Sequence, residues 1–192
     1  MESIKKDIAL SDFDCHIYKT PPIFISCDKY WDGGIYAKDS LKSKAEFYTL
    51  SSIFSDIVKA LIQTLDESPI LGKSICDHQA MYAHFSNMES YELFREITDV
   101  IKRNKYYRLN LPEDNDIIDL IIESNFRYFT HIALFLPNSK IIVEPSCHTE
   151  LLIYCPHKER INILDSIVAK YSSKQYRIKL IEQKQSVCST TE

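Results

Sequence analysis

The sequence predicts an α+β protein in which an antiparallel sheet is flanked by several amphipathic helices. Three observations predict it. Two stretches, beginning near residues 51 and 86, repeat apolar residues at helical spacing. Residues 127–154 are rich in aromatic and β-branched residues and are cut by two short turn sequences, which reads as a β-meander. A further helical stripe comes after Pro156, so strands and helices segregate along the chain.

In chain order, Ile23-Phe-Ile-Ser-Cys27 after Pro21-Pro22 reads as a short strand, and residues 28–39, with Trp31 and Gly33-Gly34, as a loop or hairpin turn. Ile53, Phe54, Ile57, Val58, Leu61, Ile62 and Leu65 then form one broad apolar stripe. Ser51 or Ser52 can cap that helix, and Pro69 with Gly72 ends the segment. A more polar helix is expected over residues 75–85. Ser86-x-x-Glu89 has the form of a capping box ahead of Tyr91, Phe94, Ile97, Val100 and Ile101, and Lys102-Arg-Asn-Lys105 supplies the cations a helix C-terminus favours. Residues 106–111 alternate like a strand. The acid-rich run after Pro112 suits the first turns of a short helix.

The meander comprises a strand over 127–136, the turn Pro137-Asn-Ser139, a strand over 140–144 broken by Pro145-Ser146, and a third strand over 149–154. Ile161, Ile163, Leu164, Ile167, Val168 and Tyr171 mark the last helix. Residues 176–181 alternate like an edge strand. Residues 1–192 are read as a single domain, with 1–48 as an N-terminal extension packed on it.

Composition narrows the function. Only three of the 192 residues are glycine, where an average chain would carry roughly 13. No window supplies the clustered glycines of a dinucleotide turn, a phosphate loop or a nucleophile elbow. The net charge of −4 is too mild to suggest a nucleic-acid binder. Its distribution is uneven: residues 158–184 hold seven basic and three acidic side chains, whereas the rest of the chain is acidic. The first residues lack the apolar core of a secretory signal, and no run is apolar enough to span a membrane. A cytoplasmic location with six reduced cysteines is the expectation.

Cysteine lies beside or near histidine at Cys15-His16, Cys76-Asp-His78, Cys147-His148 and Cys155-Pro-His157. Zinc could be held by Cys147, His148, Cys155 and His157, but the spacing is unlike a zinc finger or ribbon, and no cofactor or metal is expected. A Cys–His dyad, involving Cys147, His148 or His131, would need a partner brought in by the fold. The acidic segment is more informative. Glu113, Asp114, Asp116, Asp119 and Glu123 place five carboxylates and no cation within residues 113–123. Such a group can serve acid–base chemistry, bind Mg²⁺, offer a negative surface to a basic partner, or simply favour a helix dipole. Asp116 and Asp119 share a helical face, as do Asp119 and Glu123, which presents charge as a surface. Recognition is therefore preferred to catalysis. The twelve tyrosines supply candidate interface anchors.

The run YFTHIALFLPNSKIIVE over residues 128–144, then ELLIY over 150–154 and a helix, resembles bacterial toxin-immunity proteins. These are the small cytoplasmic partners of contact-dependent growth-inhibition and related polymorphic toxins. The resemblance covers about a third of the chain, rests on pattern, and transfers no individual residue. It implies a non-enzymatic protein that neutralises a cognate toxin domain, often a basic nuclease, without itself binding nucleic acid, membrane or a small-molecule substrate. Glu113, Asp114, Asp116, Asp119 and Glu123, with nearby aromatics, are then the expected partner-binding surface. The rival expectations are a small enzyme with a Cys/His or carboxylate site, and a zinc-binding regulatory module.

Overall fold

A computed structural model describes residues 3–4, 20–28, 41–72, 77–103 and 106–182. The expected loop over 29–39, with Trp31, Gly33 and Gly34, lies outside these residues, as do Cys15, Cys76, Lys105 and Cys188. The described chain is α+β. Its strands are β1 (Ser3–Ile4), β2 (Ile23–Cys27), β3 (Ile70–Gly72), β4 (Tyr106–Arg108), β5 (Ala133–Leu136), β6 (Ile141–Ser146), β7 (Glu150–Tyr154) and β8 (Ile178–Glu182). The helices are α1 (Leu41–Leu65), α2 (His78–Phe85), α3 (Tyr91–Lys102), α4 (Asn115–Phe126) and α5 (Lys158–Tyr171). No helix among the described residues is long and apolar enough to cross a membrane.

The strands form one sheet in the order β1-β4-β3-β5-β6-β7-β2-β8, every neighbouring pair antiparallel. The β5–β6–β7 meander is its centre. Leu136 pairs with Ile141 across a turn in which Lys140 takes a left-handed conformation, and Ser146 pairs with Glu150 across a three-residue turn ending in left-handed Thr149. Alternation sorts side chains to two faces. Ile25, Leu71, Leu134, Val143, Leu151 and Ile153 join the helices in the main core, whereas Ile70, Tyr106, Ala133, Phe135 and Ile142 form a smaller buried cluster on the opposite face. On the helical side α1 packs against α4 and α5, α4 lies on β6, α3 on β4 and α5 on β8.

Several boundaries differ from those expected. Helix α1 begins at Leu41, ten residues before the expected caps Ser51 and Ser52, because buried Phe47 and Leu50 extend the stripe backwards at helical spacing. It ends where Asp66 turns left-handed. Gly72 is accordingly a strand residue: a methyl group there would come within 2.5 Å of the Tyr106 ring, so its missing side chain makes room for that aromatic. Ser86 closes α2, its N–H bonded to the Tyr82 carbonyl, and α3 starts after Ser90 with no capping box. The strand expected from residue 127 starts only at Ala133, since residues 127–130 wind up the end of α4. Pro145 lies inside β6. Strand β5 pairs with β6 only from Ile141 to Val143, so beyond that point one edge of β6 carries no ladder for a proline to interrupt.

Candidate functional site

Helix α4 positions the acidic segment. Ile117, Ile118, Leu120, Ile121, Ile122 and Phe126 are buried, so only one narrow strip of the helix faces outward. Asp116, Asp119 and Glu123 fall on that strip, one turn apart. Their environments differ sharply.

Glu113 and Asp116 are solvent-exposed at the N-terminal end, where the helix dipole favours negative charge. Asp114 occupies the N-cap position but makes no side-chain bond to the helix; its Oδ2 accepts the Asn110 N–H at 2.7 Å and so closes the preceding loop. Asp119 is paired with Lys59 of α1 at 2.6 Å. Nearby, burial raises the Asp56 carboxyl above the usual carboxylate range, with Lys59 opposing the shift and the Asp119 charge adding to it. The acidic strip thus becomes an interhelical contact from Asp119 onward.

Glu123 is the innermost member, with its side chain 13% exposed. Its Oε1 lies 2.8 Å from His84 Nε2 and 2.8 Å from Arg127 Nε. Burial works against the charged carboxylate, yet the hydrogen bonds and charges of His84 and Arg127 outweigh it and hold Glu123 below the ordinary carboxylate range. The Arg127 guanidinium lies 4.4 Å from the Phe47 ring centroid and 5.3 Å from that of Tyr48, so cation–π contact joins α1 to the network. His84 packs edge-on to Phe85 and Phe129. Three helices meet at this one carboxylate.

Beyond Arg127 the chain leaves α4 through a Schellman turn: Phe129 N–H bonds to the Ser124 carbonyl and Tyr128 N–H to that of Asn125. Tyr128 takes the left-handed position usual for glycine, at φ 62°, and is 74% exposed. Buried Asn125 anchors the segment up to Ile132. Its Nδ2 donates to the carbonyls of Ile132 and Pro145, and its Oδ1 accepts from Thr130 Oγ1 and the Ile132 N–H. Every polar group of that amide is engaged, so the end of α4 is tied to the entry of β5 and to β6.

The structure therefore brings Asp116, Asp119 and Glu123 onto one face, leaves Glu113 and Asp116 outermost, and withdraws Glu123 into the fold. Tyr128, of the aromatic pair Tyr128-Phe129 that the sequence offers as an interface anchor, is exposed; so are Tyr48, Tyr82 and Met88, which no sequence pattern marks. Of the cysteine–histidine candidates, Cys147 and His148 sit in the β6–β7 turn, while Cys155 is buried just after β7. Burial raises the Cys155 thiol above its usual range, outweighing a backbone hydrogen bond from His157 that lowers it, and so disfavours the thiolate. Among the described residues no group of three or more His, Cys, Asp or Glu side chains is placed to hold a metal ion. No protein-family model, curated protein or solved structure matches the chain.

Proposed function

We propose that the protein is a binding protein, an immunity protein that neutralises a cognate toxin domain by covering a basic surface of it. The observation that carries this reading is the outward strip of α4. Glu113 and Asp116 are exposed and have no cationic partner among the described residues, at a helix N-terminus that concentrates backbone N–H groups. At the other end Tyr128 is exposed, and Tyr48, beside the buried Arg127, is exposed as well; tyrosine is a residue type that dominates binding energy at interfaces. Retaining tyrosine where glycine would be unstrained supports a use for that side chain outside the fold.

Acidic carboxylates would meet the cations of a nuclease, speeding association and fixing orientation, while the aromatic end supplies desolvated contact. The cytoplasm is the compartment in which such a partner would act. The test is survival of cells that express a toxin domain, if one is encoded in the gene adjacent to that of this chain. Co-expressed wild-type protein is expected to rescue growth, and the Glu113→Lys, Asp116→Lys double variant to fail while remaining folded. Full rescue by the double variant would remove the acidic strip from the interface; absence of any partner gene would remove the immunity reading itself.

A further inference from the structure

A second surface lies at the far edge of the sheet. Strand β8 pairs with β2 on one side and ends the strand order on the other. The direction of its free backbone groups is set by parity. Asp28 N–H donates to the Arg177 carbonyl at 3.1 Å, so Arg177, Lys179 and Ile181 address β2, and Ile178, Leu180 and Glu182 turn their N–H and C=O outward. One of these groups agrees with that assignment directly: the Ile178 N–H is taken up by Ser172 Oγ at 3.1 Å. The Ile178 carbonyl and both backbone groups of Leu180 have no partner among the described residues.

Beside this edge runs an open groove of about 470 Å³ between α5 and β8. Asp165, Val168, Ala169 and Ser172 form its helical wall at positions repeating every three or four residues, and Ile178 to Ile181 form its other wall. A strand edge with no ladder partner among the described residues, beside a half-apolar helix face, is the geometry in which an extended chain can bond through its backbone and lodge alternate side chains in the groove. The surrounding charge selects among occupants. Lys170, Lys174, Arg177 and Lys179 are all exposed here, against Asp165 and Glu182. A second copy of the chain, pairing β8 to β8, would set these cations against their own counterparts across the two-fold axis.

We propose that the β8 edge and the α5–β8 groove form a binding surface for an extended acidic polypeptide segment, which adds to the sheet as a ninth strand. Lys179 on the edge strand, with Arg177 just before it, also discourages indiscriminate strand addition, and acidic segments are the ones these cations admit. The surface is separate from the acidic strip of α4 and stands independently of the toxin-binding reading.

The probe is a fluorescently labelled, end-blocked octapeptide alternating valine and glutamate, titrated into the full-length protein. Saturable binding is expected, with amide shifts in NMR spectra concentrated at Leu180 and Glu182. The same peptide with lysine in place of glutamate, and the same peptide methylated on every backbone nitrogen, are each expected to bind at least about tenfold more weakly, the loss set by one or two hydrogen bonds or charge contacts. Ala169→Glu, on an exposed groove position, should weaken the peptide similarly while leaving the melting transition in place. Equal binding of the lysine or methylated peptide, or no saturation by the valine–glutamate peptide, overturns the proposal. So does a wild-type dimer in sedimentation that Ala169→Glu converts to monomer, which would give the edge to a second copy.

Discussion

Glu67 illustrates what one buried side chain contributes. It is 7% exposed, and its two carboxylate oxygens accept the backbone N–H groups of Asn138 and Ser139, each at 2.8 Å. These donors belong to the β5–β6 turn, about seventy positions away in sequence, and burial would otherwise leave them unsatisfied. Replacement by glutamine presents a donor to a donor and removes the charge that strengthens both bonds. Glu67→Gln is therefore expected to lower the stability measured by urea unfolding by about 2–3 kcal/mol. A change below about 0.5 kcal/mol, typical of a surface substitution, would show that the turn holds without it. Nothing in the local sequence marks Glu67: it comes after a helix and precedes Ser68-Pro69 like any solvated acid.

At the scale of elements, the interiors of helices and strands were legible and their ends were not. The stripe from Phe54 to Leu65, the meander, the helix after Pro156 and the edge strand at the C-terminal side are all written in apolar periodicity. Ends depend on bonds made after the fold forms. Helix α4 runs into Phe126 because Ser124 and Asn125 find partners in residues 128–132, whereas the local aromatic and β-branched content favours a strand. Its terminating residue gives a prediction with two readouts. Tyr128→Gly relieves the left-handed strain and loses little packing, so stability is expected to rise by about 0.5–1 kcal/mol. If Tyr128 anchors a partner, affinity for that partner falls in the same variant. A stability gain with affinity unchanged would assign Tyr128 no part in binding.

At the scale of the molecule, Glu123 couples α2, α4 and, through Arg127 stacked on Phe47, α1. Its carboxyl is held below the ordinary value of 4.5 in the folded protein. The ionised form is thus favoured by folding. That contribution is complete above the unfolded value and is lost as pH falls through the folded one. Asp56 and Glu150, both raised by burial, act in the opposite sense. Wild-type stability should consequently fall more steeply between about pH 6 and pH 3 than that of Glu123→Gln, as measured by urea midpoints at a series of pH values. Parallel curves would show that the network does not depend on the charge of Glu123.

The sequence by itself determined the α+β class, the identity of most core residues, and the existence of an acidic helix, because periodic burial and local charge are written in neighbouring positions. It also placed Asp116, Asp119 and Glu123 on a common face. Only the tertiary structure decided which of those carboxylates remain outside. Lys59 and His84 lie on α1 and α2, and whether they meet α4 depends on how those helices pack against it, whereas Arg127 reaches Glu123 within one turn at the end of α4 itself. The strand order has the same origin. Strand β2 was visible as a strand, but its place between β7 and β8 is fixed by contacts far apart in the chain. Those contacts are what leave β8, with its exposed cations, at the edge of the sheet.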